Sequence, residues 1–167
     1  MRHIISILLQ NEAGALARVA AMFSSRGYNI DSLSVAATHD PAVSRLTLVT
    51  TGSDAVIEQI IKQTRKLIDI VEIIDLSSAE HLECELVMLK LDVTGADMGA
   101  VVDCVLQHRG VMLDGSDGTR MIQLAGTGAE VDAFVQKIGA IATVLELVRS
   151  GVAALQRGRQ CMTVPVA

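Results

Sequence analysis

A short polar turn near the start of the chain contains residue types that hold a small anion. The stretch Gln10–Leu16 lies between the apolar run Ile4–Leu9, which predicts a strand, and a segment with helical periodicity. Asn11 is expected to cap that helix, and Gly14 leaves the neighbouring backbone amides uncovered by a side chain. Free amides at the start of a helix favour a bound anion such as a carboxylate. Many strand-to-helix turns share this composition without a ligand, so the turn alone does not establish a site.

The segments that follow this turn predict one complete set of strands and helices. Strands are predicted at 30–37, 44–51 and 69–76, and a second helix opens at Asp54. The order is therefore strand, helix, strand, strand, helix, strand. The first helix is expected to bury Leu16, Val19, Ala20 and Phe23, and the second Ile57, Ile60, Ile61, Thr64 and Ile68.

The same order begins again after the linker-like segment Ser77–His81. Alternating apolar residues over 87–93 predict a strand, and Asp117–Gly118 marks the turn of a hairpin. Two βαββαβ units predict an α+β fold of two tandem ferredoxin-like domains, at 1–78 and 79–167, each an antiparallel sheet with two helices on one face. The other boundary signals are the helix end Arg109–Gly110, the capping-box pair Thr127 and Glu130, and a closing strand over 144–148.

Composition limits the classes of partner. The net charge of −5 and the lack of a basic run disfavour nucleic acid, whose phosphates require a positive surface. No apolar stretch approaches the roughly 20 residues of a membrane helix. The apolar run before Gln10 is too short for the core of a signal peptide, so a cytoplasmic protein is predicted.

The high apolar content predicts self-association. Half of the residues are hydrophobic and mean hydropathy is +0.44, while each predicted unit is small. Edge strands and uncovered sheet faces are therefore expected to pair with another unit or subunit, which gives at least a homodimer. The tail Gly151–Arg159 is expected either to fray or to dock on a partner.

No residue pattern predicts a catalytic or metal-ligating residue. The four histidines and three cysteines are scattered without metal-ligand spacing. Asp114 and Asp117 flank a hairpin turn, where aspartate is favoured for conformational reasons. They leave open a small enzyme with paired carboxylates, for which turnover by the purified chain would be the evidence.

Several stretches resemble the small, regulatory subunits of acetolactate synthase (acetohydroxyacid synthase), within the ACT-domain family of amino-acid sensors. They are Arg2–Val19, Phe23–Val35 with its Arg-Gly-Tyr-Asn-Ile segment, and Gln123–Thr127. Arg149–Gly151 and Arg157–Gly158 also fit, so the resemblance spans nearly the whole chain.

This resemblance implies a non-catalytic subunit in branched-chain amino-acid biosynthesis. Such a subunit stimulates a large subunit that forms acetolactate from two pyruvates, and it confers feedback inhibition by valine. Thiamine diphosphate, Mg2+ and FAD are expected in the large subunit and not in this chain. The implied valine site takes Asn11, Ala13, Gly14, Ala15 and Leu16 from one subunit of a dimer, and Asn29 and Ile30 from the other.

The chemistry of these residues agrees with a zwitterionic ligand. Amides after Asn11 are donors for a carboxylate, and the side chains of Asn11 and Asn29 each offer a donor and an acceptor. The aliphatic group is expected to rest on Leu16 and Ile30, in a pocket that separates neighbouring aliphatics by only about 1–3 kcal/mol per methylene.

Two further expectations concern the alternatives to this interpretation. An amino-acid-binding module with a different client, such as a transcription factor, stays open because it would share the same turn. The corresponding turn of the second unit, Thr94–Asp97, lacks the Asn-x-x-Gly pattern and carries an acid. The second unit is therefore expected to assemble and not to sense.

Overall fold

The structure, a computed structural model, describes residues 1–164 of the 167-residue chain. Its internal contacts define two compact units. One comprises Met1–Leu82 together with the segment that starts at Val152, and the other comprises Glu83–Gly151. Residues 152–164 thus belong with the first unit, whereas the sequence-based boundaries of 1–78 and 79–167 grouped the tail with the second. No helix within residues 1–164 is long and apolar enough to cross a membrane.

The first unit has the predicted order of strands and helices. Its four strands form one antiparallel sheet in the order β2-β3-β1-β4, which is the ferredoxin-like arrangement. The elements are β1 (Arg2–Gln10), α1 (Ala15–Ser24), β2 (Ser32–Ala37), β3 (Val43–Thr51), α2 (Asp54–Thr64) and β4 (Ile70–Asp75).

Alternate residues of β1 build the core between sheet and helices. Successive side chains of a strand point to opposite faces, so Ile5, Ile7 and Leu9 meet the buried stripes of both helices. On α1 that stripe is Ala15, Val19 and Phe23. The prediction that Leu16 is buried is wrong. Ala15 takes the buried position at the start of the helix, and Leu16 is 37% exposed. Ile68 was also predicted buried; it lies beyond the end of α2 and is 87% exposed.

The second unit repeats the same sheet. Its strand order is β6-β7-β5-β8, and the predicted turn and capping box are confirmed: Asp117 and Gly118 have positive φ, and Thr127 and Glu130 exchange both bonds of the box. The elements are β5 (His81–Asp92), α3 (Met98–Gln107), β6 (Val111–Asp114), β7 (Thr119–Gly126), α4 (Gly128–Gly139) and β8 (Thr143–Arg149).

The tail contributes a ninth strand that the sequence did not predict, β9 (Ala153–Gln156), which pairs with β5. Val152 and Ala154 are buried against Ile4 and its neighbours, on the face of the first sheet opposite the helices. Arg45 fixes this contact, because its Nη2 donates to the Ala154 carbonyl at 3.0 Å and its Nε donates to a buried serine of β1. The expectation of a frayed or partner-bound tail is wrong, since the tail covers the chain's own first sheet.

Candidate functional site

The turn between β1 and α1 is built around Gly14 and not around a side-chain cap. Gly14 is the N-cap of α1 and has a φ of 88°, in the left-handed region that favours glycine. The prediction that Asn11 caps the helix is wrong. Its Nδ2 donates to the Pro41 carbonyl at 2.9 Å and its backbone N–H donates to Ala42 at 2.8 Å, so it ties the turn to the β2–β3 connection.

The first amides of α1 are left without a side-chain partner. Among the described residues, the N–H groups of Ala13, Gly14 and Leu16 donate no hydrogen bond. The N–H of Ala15 donates to the Glu12 carbonyl at 3.2 Å. Ala15 is buried in the core, and the other predicted members of this half of the site are exposed. The turn therefore presents polar donors next to the half-exposed aliphatic side chain of Leu16.

An arginine that sequence reasoning missed lies over this turn. Arg18 donates through Nε and Nη2 to the two carboxylate oxygens of Asp69, at 2.5 and 2.7 Å. Asp69 is only 2% exposed, whereas about half of the Arg18 side chain reaches solvent. The Nη1 atom of Arg18 lies 2.9 Å from the position that a Cβ on Gly14 would occupy. A guanidinium thus stands directly beside the turn.

The charge state of this pair is fixed over a wide pH range. The hydrogen bond from Arg18 lowers the pKa of Asp69, and the same bond raises the pKa of Arg18. A lowered carboxylate pKa adds stability that is present above the unfolded-state value and is lost as pH falls through the folded-state value. The pair is therefore fully charged at neutral pH. No local sequence signal links the two residues, because 51 positions separate them.

The second predicted half of the site lies between α1 and β2. Asn29 is exposed, and its Nδ2 donates to Asp31 Oδ1 at 2.7 Å while its carbonyl accepts from Thr50 Oγ1 at 2.6 Å. Ile30 is half-buried and packs against the core of the unit. These bonds hold the asparagine at the end of the sheet where β1 begins.

The two halves lie at opposite ends of the same sheet. Asn11 directly follows Gln10, the last residue of β1, whereas Asn29 is held by Thr50, which pairs with His3 at the start of β1. Gln10 lies seven positions after His3 along the strand, a span of about 23 Å at roughly 3.3 Å per residue. One chain therefore does not bring the two predicted halves together around a small amino acid.

Other polar residues named from the sequence have local structural roles. Asp114 Oδ1 accepts from the Gly115 amide at 2.7 Å, and Asp117 has a positive φ within the hairpin turn. Buried His3, which the sequence did not single out, has its ring nitrogens 3.4 Å from Asp54 and 3.5 Å from Asp75. Asp114 and Asp117 therefore act locally in their hairpin turn.

Fold and turn together define a tandem ferredoxin-like protein whose first unit is an ACT-type domain. Residues 5–72 match the family described as "AHAS small subunit-like ACT domain", and residues 84–158 match "Small subunit of acetolactate synthase". The chain belongs to the acetolactate synthase small-subunit family.

Individual relatives agree with this family over nearly the full length of both partners. The chain is 43% identical to the acetolactate synthase isozyme 3 small subunit of Escherichia coli (strain K12), over 97% of this chain and 99% of that protein. It is 42% identical to the acetolactate synthase small subunit of Haemophilus influenzae, over 96% and 98%. The crystal structure of the acetolactate synthase small subunit from Thermotoga maritima matches with a TM-score of 0.87 and 30% identity, over 96% and 99%.

Proposed function

We propose that this chain is a cytoplasmic regulatory subunit that activates the catalytic large subunit of an acetolactate synthase and makes it sensitive to L-valine. The family to which the chain belongs supports the identity of the client. The separation of Asn11–Gly14 from Asn29 by the length of β1 carries the proposal of a site shared by two copies.

Valine fits the chemistry of the two halves. Its carboxylate takes the donors of the Gly14 turn, and its ammonium requires acceptors, which the side-chain oxygen of Asn29 supplies. Its isopropyl group contacts Leu16, which is half-exposed beside the turn. Such a contact separates valine from leucine or isoleucine by only about 1–3 kcal/mol per methylene, so partial responses to both are expected.

A ligand held between two subunits gives a route to regulation. It stabilises whichever dimer geometry closes the site, and it shifts the population of dimers by its difference in affinity for the two geometries. Under this proposal the reaction itself occurs on the large subunit, which binds thiamine diphosphate, Mg2+ and FAD. This chain changes the activity of that subunit through the geometry of the dimer.

The alternative of a sensor with another client is less well supported. It would explain the first unit, but the match to the small-subunit family also extends over 84–158, which covers the second unit. Both units thus support the same client.

The test is acetolactate formation by the large subunit, with and without this chain, across a titration of L-valine. We expect the chain to raise the rate and L-valine to lower it again. A rate that does not respond to the chain would exclude the proposed client. A rate that responds to the chain but not to L-valine would exclude the proposed effector.

A further inference from the structure

The guanidinium of Arg18 has one nitrogen that the fold does not use. Nε and Nη2 bind Asp69, whereas Nη1 has no hydrogen bond among the described residues and points toward the Gly14 turn. We propose that Arg18, oriented by Asp69, binds the carboxylate of the amino-acid effector through Nη1. This inference rests on the proposed function and adds a residue to its site.

The buried position of Asp69 explains how one arginine can be held so firmly. A carboxylate that accepts from two nitrogens of a guanidinium fixes the plane of the group, and Asp69 is itself enclosed by protein. Because the five N–H donors of a guanidinium are spread around its plane, the edge bound to Asp69 leaves the Nη1 donors free for a second carboxylate. The ligand would meet an oriented donor whose conformation is already restricted.

The absence of a side chain at Gly14 is part of the same arrangement. A Cβ there would lie 2.9 Å from Nη1, in the space through which a ligand reaches the arginine. Glycine keeps this approach open and also supplies the left-handed φ of the turn.

The second unit shows that the fold does not require this ion pair. The core residues Val19, Met22 and Phe23 of α1 have the same spacing as Val101, Cys104 and Val105 of α3. The residue that corresponds to Arg18 is therefore Ala100.

The strand register gives the counterpart of Asp69. In each unit the first strand has an irregularity where it pairs with the last strand, and Leu9 opposite Ile70 corresponds to Leu91 opposite Val144. The residue that precedes Val144, and so corresponds to Asp69, is Thr143. The same supersecondary structure thus forms with Ala100 and Thr143, neither of which is charged. The charged pair of the first unit stabilises that unit, but the fold forms without such a pair, which is consistent with a further role toward a ligand.

The test compares L-valine with L-valinamide, in which a neutral amide replaces the carboxylate. Binding of each to the full-length dimer is measured by calorimetry for the wild type and for Arg18→Gln. A hydrogen bond between charged groups contributes about 1.5–3 kcal/mol, so we expect the affinity for valine to fall about 10- to 150-fold. The affinity for valinamide should change by less than about threefold, because it lacks the group that Arg18 binds.

A double variant separates binding from folding. Arg18→Gln leaves Asp69 buried without its partner, whereas Arg18→Ala combined with Asp69→Thr introduces the uncharged pair of the second unit. We expect the double variant to melt near the wild-type temperature and to lose the preference for valine over valinamide. Lys62→Gln removes one positive charge from the exposed face of α2 and should leave that preference unchanged.

The outcomes distinguish this inference from the proposed function. A folded double variant that keeps the wild-type preference for valine over valinamide would overturn the role of Arg18. Equal losses for the two ligands would also overturn it, because they indicate a general structural effect. A wild-type dimer that binds neither ligand would instead show that the proposed effector is wrong, and the inference would fall with it.

Discussion

The first helices of the two units begin in different ways. α1 begins after Gly14, which has no side chain, so the amides of its turn have no cap. α3 begins after Asp97, whose Oδ1 accepts from the amides of Gly99 at 2.9 Å and Ala100 at 3.2 Å. In the second unit the chain itself supplies the carboxylate that a helix start attracts. The difference shows how one fold provides a self-sufficient turn in one copy and a turn open to a ligand in the other.

The two units also differ in how much of the sheet face opposite the helices is exposed, and here the second unit is the more exposed. In the first unit this face is covered by Val152 and Ala154, which are almost fully buried. In the second unit Leu86, Met88 and Val148 remain between 38% and 57% exposed. The first unit therefore has an uncapped turn and a sheet face covered by the tail. The second unit has a capped turn and an exposed apolar sheet face.

The largest expected effect comes from closing the open turn. We expect Gly14→Asp to abolish inhibition by valine without unfolding the protein, because its carboxylate reaches Arg18 Nη1 and takes the place of the ligand's carboxylate. Acetolactate assays across a valine titration, with thermal melting of the same preparation, measure both effects. Gly14→Asn is the matched control, since it has the same size without the charge and should weaken inhibition less. Wild-type sensitivity of the Asp variant would contradict the site.

A mixed dimer tests whether each site joins two copies. Chains with Gly14→Asp and chains with Asn29→His are expected to form homodimers that bind valine weakly. In a dimer of one chain of each kind, one site carries both changes and the other carries neither. Calorimetry on the doubly tagged mixed dimer should therefore show one valine per dimer at wild-type affinity. If each site lay within one chain, no intact site would form and no such binding would appear.

The substitution Val152→Ala tests whether the tail covers the first sheet. Two buried methyl groups lose their contacts with the first sheet, so we expect the free energy of unfolding to fall by about 2 kcal/mol. Val148→Ala, at a valine of β8 that is 57% exposed, is the control and should change stability by less than about 0.5 kcal/mol. Urea denaturation of the two variants gives the comparison. Equal effects would mean that the tail does not cover the sheet in solution.

The smallest effect is expected from Asp97→Ala. Loss of an N-cap carboxylate typically costs about 1 kcal/mol of stability. Because the carboxylate of Asp97 itself accepts from the first amides of α3, we expect no effector at this turn, and inhibition by valine should stay at the wild-type level. A change in valine sensitivity would show that the second turn also takes part in sensing.

The features that were predictable from sequence depend on residues close together in the chain. The capping box of Thr127 and Glu130, the turn at Asp117–Gly118 and the order of strands all follow from local patterns, and the structure confirms them. The predicted site residues Asn11, Gly14 and Asn29 remain a prediction for the ligand, although the structure explains why a single chain cannot bring them together.

The features that were missed depend on distant residues or on small ones. Arg18 meets Asp69 only through the tertiary fold, and no local pattern marks an arginine that is part of a buried ion pair. On α1 the buried position near the turn is occupied by the small residue Ala15 and not by the larger Leu16, so side-chain size pointed to the wrong residue. The position of the tail could not be predicted from local patterns, because its contacts with β1 join residues from opposite ends of the sequence.

The position of the tail has a consequence for biosynthesis. Val152 and Ala154 are translated after the entire second unit, yet they cover Ile4 and Val49 of the first sheet. While the nascent chain leaves the ribosome, the first unit therefore exposes that apolar face until Ala154 has itself emerged from the ribosome. A chain released before that point would carry an unshielded sheet and would be a target for chaperones or proteases. The domain that is made first is the last to be completed.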